Sequence, residues 1–340
     1  MAAPSPTIRS LAALAGVSAA TVSLALRNSP RIGRATTDKI HRLAQESGYK
    51  GSPIVSRLLS EYRSKRGGAR QGNLAIIHTS PDPQDHKNRT VREWVASAKD
   101  RASGAAFGCD EFSLHTGETG IGRILSIMRA RGTSGILLTG PFAEGKIPAS
   151  IWNRISAIPT IVMGERPVLP TLSCALNDQF ATSRRASIEL SNLGYRRLGL
   201  CLHPDIDSIL ERRFGAGFLT ANPRHLPQFD LRPDSRRDFL RWFRRYKPDA
   251  ILTMHVEIRA WLESVGVNCP GDIGLAHLDL PPTGREWSGM RQDNSHLGGS
   301  AVDLLLSQIH FHISGTPPFQ QCLMLGSEWI DGWTTRKINC

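Results

Sequence analysis

The chain has 340 residues, 40% of them hydrophobic and 21% charged, a composition that suits a globular protein of two or three folded units. Six cysteines without a C-x-x-C pair argue against a zinc site or a disulfide framework, and no apolar run approaches the ~20 residues that a membrane helix needs. The net charge of +12 is uneven, because residues 1–72 hold twelve Lys or Arg and three acidic residues, which favours a polyanionic partner.

The first fifty residues predict three short helices. Thr7 can cap the first helix and Gly16 breaks it, while Ser18 can cap the second helix, which ends at the loop that begins with Asn28. The third helix stops at Gly48. A helix, a tight glycine turn and a second helix form the signature of a helix-turn-helix, so this basic segment is predicted to be a folded module.

A fourth short helix is predicted to follow Pro53, over residues 54–62. It carries Ile54, Val55 and Leu58, and it precedes a basic, glycine-rich linker over residues 64–72. Apolar side chains beside such a linker need some partner.

From Leu74 onward, apolar runs alternate with amphipathic stretches. The predicted strands are Leu74–Ile77, Ile136–Leu138, Thr160–Met163, Leu198–Leu202, Ala250–Thr253 and Ile273–Ala276. The predicted helices between them are Val91–Ala105, Ile121–Ala130, Phe180–Leu193, Arg236–Tyr246 and Leu297–Ser314. This alternation predicts doubly wound parallel α/β sheets, and roughly 270 residues is enough for two lobes.

Several runs of residues resemble the LacI/GalR family of bacterial transcription regulators. In the head these are Thr7-Ile8-Arg9, Leu11-Ala12, Ala15-Gly16-Val17-Ser18, Thr21-Val22-Ser23 and Leu26-Arg27-Asn28. Weaker matches follow in the family's order at Asn192–Leu198, Arg213–Phe218, Pro248–Ile251, Pro270–Gly274 and Ala301–Leu306. The resemblance implies a helix-turn-helix DNA-binding domain at residues 6–52, a hinge helix and linker at 53–72, and a two-lobed, periplasmic-binding-protein-like effector and dimerisation domain at 73–340.

The same resemblance implies which residues contact DNA. Ala19, Ala20 and Leu24 would face bases, although the two alanines could equally be helix-forming residues without a contact. Ser18 could bind phosphate, cap its helix, or do both. Leu58 would wedge into a minor-groove step, unless its helix packs on the sensor instead. The full expected set is Thr7, Ser18, Ala19, Ala20, Thr21, Ser23, Leu24, Asn28, Tyr49, Ile54, Val55, Arg57 and Leu58.

Ligands of two-lobed α/β domains bind at the carboxyl ends of the strands. Residues that follow predicted strands are His78, Thr79, Thr139, Gly164, Glu165, His255 and Asp279, and for His78, Thr139 and Glu165 a structural role is the better interpretation. The family register adds two more, so the expected effector-binding set is Arg213, His255, Asp279 and Gln292. Asp279 and Arg213 are favoured because buried charges can grip ligand hydroxyls or a carboxylate.

We therefore expect a cytoplasmic, nucleoid-associated transcription regulator. A repressor is favoured over an activator because most members of the resembled family repress. It would bind operator DNA as a homodimer and respond to a small, sugar-like effector without a cofactor or a metal. An enzyme is disfavoured because the sequence lacks G-x-S-x-G, H-E-x-x-H and P-loop motifs. The remaining alternative is a solute-binding or orphan sensor protein without effector-controlled release of DNA.

Overall fold

The computed structural model describes residues 8–18, 21–22, 25, 32–47, 71–80, 88–114, 118–140, 142, 145–221, 226–232, 234–280 and 286–338. The chain divides into two compact units, Met1–Ala69 and Arg70–Cys340. The helix predicted over residues 54–62 and most of the basic linker lie outside the described residues.

The helices, in chain order, are α1 Ile8–Ala15, α2 Arg34–Glu46, α3 Arg89–Gly104, α4 Glu118–Ala130, α5 Ala149–Ile155, α6 Gln179–Asn192, α7 Pro204–Ile209, α8 Arg213–Ala221, α9 Arg236–Tyr246, α10 Glu257–Glu263 and α11 Asn294–His310. The strands are β1 Gly72–His78, β2 Phe107–Ser113, β3 Thr133–Thr139, β4 Thr160–Met163, β5 Cys174–Asn177, β6 Leu198–Leu202, β7 Phe229–Asp230, β8 Ala250–Thr253, β9 Gly274–His277, β10 Ser288–Gln292, β11 Cys322–Leu325 and β12 Ser327–Ile330.

The N-terminal unit is built on a small core shared by α1, α2 and the helical residues between them. Gly16 takes a φ of +70° directly after α1, a conformation that favours glycine, and so ends the helix where the sequence predicts. The side chains that meet in this core are Leu11, Ala12, Ala15, Val22, Ala25, Ile40 and Ala44.

The first lobe of the second unit contains a parallel sheet with the strand order β11-β5-β4-β3-β1-β2. Its central strands are continuous apolar runs because helices cover both faces. One core lies between the sheet and α3 with α11, and the other lies between the sheet and α4 with α5. Gly298 of α11 lies so close to α3 that an added Cβ would stand 1.9 Å from the Trp94 carbonyl oxygen, so the two helices need a residue without a side chain here.

The second lobe repeats this arrangement with the strand order β12-β10-β9-β8-β6-β7. Only β12 is antiparallel, to β10, among the strands that the structure describes in this sheet. Helices α6 and α8 cover one face, and α9 and α10 cover the other. The backbone passes between the lobes three times, from β5 to α6, from β10 to α11 and from β11 to β12.

The six predicted strands and five predicted helices are confirmed, with ends that differ by at most a few residues. The strands β2, β5, β7, β10, β11 and β12 were not predicted. The edge strands β11 and β2 are mostly exposed or half-buried, with no fully buried residue in β11 and one in β2, so they lack the buried apolar run that marks a central strand.

Candidate functional site

The predicted start of the second helix has the geometry of an N-cap. The Ser18 hydroxyl oxygen accepts a hydrogen bond from the Thr21 backbone N–H at 3.0 Å, and the two hydroxyls lie 2.8 Å apart. Val22 donates its N–H to the Ser18 carbonyl oxygen at 3.0 Å and is itself buried. Ser18 is exposed, so the capped turn presents its free end to the surface. A capped helix N-terminus attracts anions.

Ser18 and Thr21 are therefore the two predicted DNA-contacting residues that the structure places. The other eleven lie outside the described residues, namely Thr7, Ala19, Ala20, Ser23, Leu24, Asn28, Tyr49, Ile54, Val55, Arg57 and Leu58.

In both lobes the strand order reverses beside the first strand, between β1 and β3 and between β6 and β8. Ligand sites of open α/β sheets lie outside the carboxyl ends of the strands at such reversals. At the first reversal His78 and Thr139 are joined, with Nδ1 and Oγ1 3.0 Å apart, and the other ring nitrogen of His78 lies 2.8 Å from Glu111 Oε1. The Thr79 hydroxyl donates to the Thr139 carbonyl oxygen at 2.7 Å. These residues bond to one another, which agrees with the structural role favoured for His78 and Thr139.

Asp279 follows β9 in the second lobe and contacts three residues that belong to helices of the first lobe. Its Oδ2 lies 3.1 Å from Arg89 Nη2 and 3.4 Å from the Thr90 hydroxyl, and its Oδ1 accepts from Asn294 Nδ2 at 3.2 Å. Burial raises the pKa of Asp279 to about 6, although the Arg89 charge lowers it. The carboxylate is thus a buried anion shared by both lobes and ionised at neutral pH.

Asn294 connects Asp279 to two residues that were not predicted from the sequence, Trp94 and Asn177, and together they form a polar cluster. Its Oδ1 accepts from the Trp94 indole N–H at 3.0 Å and from Asn177 Nδ2 at 2.8 Å. The Asn177 side-chain oxygen is buried and has no hydrogen-bond partner among the described residues. The Trp94 ring lies against Gly164 at the end of β4, where an added Cβ would meet the ring at 2.2 Å. The cluster therefore offers an unused acceptor beside an aromatic ring.

Arg213 lies at the start of α8, and its ionic partner is Asp178. Its Nη2 lies 3.4 Å from Asp178 Oδ1 and 3.2 Å from the Met324 sulfur, while its Nε is buried without a partner among the described residues. Arg213 and Asp279, the two favoured residues, therefore have separate ionic partners. A second ion pair, Arg166 with Glu211, joins the loop after β4 to the loop before α8.

The remaining predicted residues surround the carboxyl ends of β8 to β10. His255 Nδ1 lies 3.2 Å from Glu257, its Nε2 is buried without a described partner, and burial lowers its pKa. Gln292 donates its amide to the Leu278 carbonyl oxygen at 3.0 Å and so holds the loop that carries Asp279. His277 accepts from the Asp279 N–H at 3.0 Å, and burial lowers the pKa of His277 to about 4.

Glu165 is buried at the end of β4, where its carboxylate accepts from the Phe142 backbone N–H at 3.1 Å. Burial raises the pKa of Glu165 to about 7. An added Cβ at Gly140 would overlap this carboxylate, so that position needs a residue without a side chain. These contacts suit the structural role favoured for Glu165.

The cluster offers hydrogen-bond acceptors, cationic donors and one aromatic ring, a set that suits a small polar ligand. In the part of the chain that the structure describes, no group of three or more His, Cys, Asp or Glu side chains could hold a metal ion. The described helices also include none with the length and apolar character needed to cross a bilayer.

Comparisons with known proteins agree with this architecture. A family model described as bacterial regulatory proteins, lacI family, matches residues 7–52. A search of curated proteins by sequence finds no match. Among solved structures, the chain is similar to the transcriptional regulator CelR in complex with cellobiose, with 18% identity and a TM-score of 0.60 over 97% of this chain and 99% of that one.

Two further solved structures are similar in fold. A lac repressor dimer bound to operator and the anti-inducer ONPF is 18% identical, with a TM-score of 0.59 over 98% of this chain and 100% of that chain. The transcription regulator CcpA of Lactococcus lactis is 14% identical, with a TM-score of 0.60 over 78% and 100%. Residues 7–52 therefore carry the domain of the lacI family of bacterial regulatory proteins, and the two-lobed fold that follows is the one that these solved structures share.

Proposed function

We propose that this chain is a sequence-specific repressor that binds operator DNA as a homodimer and whose DNA affinity is modulated by a sugar-like effector bound between its lobes. The observation that carries the proposal is the Asp279 carboxylate, a buried anion of the second lobe held by Arg89, Thr90 and Asn294 of the first. A group that both lobes share is where a ligand can favour one arrangement of the lobes over another.

The chemistry of the cluster favours a polyhydroxylated ligand. Asp279 and the unpartnered Asn177 oxygen can accept from hydroxyls, and the unpartnered nitrogens of Arg213 and His255 can bond to ligand oxygens. The Trp94 ring, whose N–H bonds to Asn294, supplies an apolar surface. Two similar solved structures hold a ligand, ONPG in the lac repressor and the sugar cellobiose in CelR. Gln292 would position the Asp279 loop rather than touch the ligand.

For the DNA-binding part, the proposal keeps the domain limits expected from sequence, with the helix-turn-helix at residues 6–52 and the hinge helix and linker at 53–72. Ser18 and Thr21 would bind phosphate through the capped turn. Leu58 would enter the minor groove beside Arg57, with Ile54 and Val55 facing the partner's hinge. Two heads on half-sites about one helical turn apart would supply the specificity that one small module lacks.

The ion pair between Arg89 and Asp279 suggests how binding would couple to DNA affinity. Ligand hydroxyls would compete with Arg89 and Thr90 for the Asp279 carboxylate. The ligand would therefore favour the lobe arrangement in which its own bonds to Asp279 are best made. DNA affinity changes only by the ratio of the ligand's affinities for the two arrangements.

The test combines a selection of bound genomic fragments with a panel of mono- and disaccharides. We expect the full chain to select a palindromic fragment, and at least one saccharide to raise its melting temperature and to change its affinity for that fragment. Asp279→Asn should abolish the saccharide response and leave fragment selection intact. Asp331→Asn, at an exposed carboxylate, serves as the control and should respond like the wild type. A saccharide response that survives Asp279→Asn, or a chain that selects no fragment at low salt, would contradict the proposal.

A further inference from the structure

The positive charge of the sensor domain is concentrated at one helix. Residues 73–340 hold thirty Lys or Arg and twenty-seven acidic residues. Residues 232–247, which include α9, contribute seven of these basic residues and two of the acidic ones. Without that segment the domain is slightly acidic, with twenty-three basic and twenty-five acidic residues. The surplus charge is therefore a local feature of α9 and its flanks.

Helix α9 separates its apolar and basic side chains onto opposite faces. Phe239 and Trp242 are buried against the second sheet. Arg237, Arg241 and Arg244 follow the i, i+4, i+7 spacing of a single face and are all exposed. The other exposed basic residues on and beside the helix are Arg232, Arg236, Arg245 and Lys247. The arginine face of α9, defined as Arg237, Arg241 and Arg244, therefore points to solvent.

The acidic residues nearby do little to cancel this charge. Asp238 lies 2.8 Å from Arg241, but both side chains are more than 60% exposed, and exposed pairs of this kind interact weakly. Arg197 adds another positive group, because its guanidinium donates to the Tyr246 and Lys247 carbonyl oxygens at the end of α9. The helix thus carries cations along its outer face and at its C-terminus.

The spacing and chemistry of this face suit the backbone of a nucleic acid duplex. Seven residues of helix span about 10 Å, so the three guanidinium groups lie in a short row. Duplex DNA carries one negative charge per ~1.7 Å of its axis, so several phosphates fall within that length. Six of the seven basic residues in the segment are arginine, whose planar fork binds two phosphate oxygens at once.

A membrane surface suits this helix less well. Helices that lie on anionic bilayers insert an apolar face between the lipids. In α9 that face is already used, since Phe239 and Trp242 are buried and Leu240, Phe243 and Tyr246 pack against the same core. Nothing apolar on the arginine face remains to insert.

We propose that the arginine face of α9 is a second DNA-binding surface, which binds the phosphates of duplex DNA without reading their sequence. It is separate from the helix-turn-helix and independent of any effector. With the head on one duplex and α9 on another, a single chain can hold two stretches of DNA together.

The test uses the full chain and two triple variants with the same change in charge. One is Arg237→Gln/Arg241→Gln/Arg244→Gln. The control is Arg123→Gln/Arg129→Gln/Arg154→Gln, at three exposed positions of the first lobe. The measurements are the salt dependence of binding to a long duplex of random sequence, and the capture of a labelled duplex by chains bound to an immobilised one. Melting temperatures establish that all variants fold.

We expect the α9 variant to lose capture of the second duplex, while the control retains it. The slope of log affinity against log salt should become shallower by about 2 to 3 in the α9 variant, because each lost phosphate contact removes about 0.9. Arg237→Lys/Arg241→Lys/Arg244→Lys should keep most of that slope.

Three results would overturn the proposal. The first is an equal change in both glutamine variants, which would mark an effect of net charge alone. The second is no change in either variant. The third is α9-dependent binding of duplex RNA or phosphatidylserine vesicles in preference to duplex DNA, which would assign the face to another partner.

Discussion

The Arg89 guanidinium lies 3.1 Å from the Asp279 carboxylate, and this contact links the first turn of α3 in one lobe to the end of β9 in the other. Their positions are 190 residues apart in the sequence. The carboxylate is 8% exposed and the guanidinium 33%, so the pair is only partly screened by water.

A double-mutant cycle should detect this contact as a coupling free energy. We expect Arg89→Gln and Asp279→Asn to be coupled by about 1 kcal/mol, because the charges are close and partly buried. All seven tryptophans lie beyond residue 90, so tryptophan fluorescence during urea unfolding reports on the sensor domain alone. The same cycle on the exposed pair Arg241 and Asp238 should give a value near zero. Equal coupling free energies in the two cycles would show that burial does not strengthen the contact between Arg89 and Asp279.

Effector binding should depend on the ionisation of Asp279. Because burial raises the pKa of Asp279 to about 6, the carboxylate is charged above that pH and loses its charge below it. For a saccharide found in the panel, we expect affinity to be constant above pH 7 and to fall roughly tenfold per pH unit well below pH 6. Isothermal titration calorimetry across this range measures the effect. Affinity that does not change between pH 7 and 5 would exclude Asp279 as an ionised ligand contact.

Glu165 should make the sensor domain less stable as the pH rises. The pKa of Glu165 is about 7 in the folded chain and 4.5 in its ordinary state, so the folded chain holds this proton more tightly. Its contribution to stability is fully present below pH 4.5 and is lost as the pH rises through 7, a change on the order of 3 kcal/mol. Glu165→Gln cannot ionise at this position, so its free energy of unfolding should not show this decline between pH 6 and 7. The variant Glu263→Gln, at an exposed position, should keep it.

The contact between α3 and α11 should distinguish two adjacent glycines. Gly298→Ala places a methyl group 1.9 Å from the Trp94 carbonyl oxygen, so we expect a loss of about 1 to 3 kcal/mol in the free energy of unfolding. At Gly299 the nearest atom is Ser97 Oγ at 3.3 Å, and that side chain can move slightly. Gly299→Ala should therefore be neutral or mildly stabilising, because alanine favours helix. Similar losses in both variants would mean that the close contact between the two helices does not determine the loss in free energy of unfolding.

The N-cap at Ser18 should stabilise the N-terminal unit alone. Ser18→Ala removes the acceptor for the Thr21 N–H, and we expect a loss of about 1 kcal/mol. Since that unit contains no tryptophan, amide hydrogen exchange at Thr21 and Val22 is the suitable measurement. Ser18→Asp should retain the protection, and Ser47→Ala should have little effect there. Faster exchange in the aspartate variant as well would show that the cap does not protect the turn.

Much of the fold could be predicted because central strands and amphipathic helices are local patterns. The buried run at Leu198–Leu202 and the stripe along Arg236–Tyr246 each indicate their structure without knowledge of the rest of the chain. The strand β5 was missed because its four residues, Cys174–Asn177, include none of the β-branched or aromatic residues that favour strands. Its partner β11 lies almost 150 residues further along the chain.

The candidate site was predicted only in part for a related reason. Asp279 was found because it follows a predicted strand, but Arg89, Trp94 and Asn294 lie at or near the starts of helices, where no strand end marks them. Asn177 was missed as well, but it lies directly before Asp178, the N-cap of α6, and a polar residue at that position is a signal that could have found it. Which of these residues meet depends on pairing across the two lobes, and one sequence does not encode that as a local pattern.

The last passage of the backbone between the lobes places the final stretch of chain in both sheets. Residues 322–325 complete the first sheet beside β5, and residues 327–330 complete the second beside β10. A premature stop codon shortly before Cys322 would therefore remove a strand from the sheet of each lobe at once. Loss of the last residues would affect β5, which lies more than a hundred residues earlier in the chain.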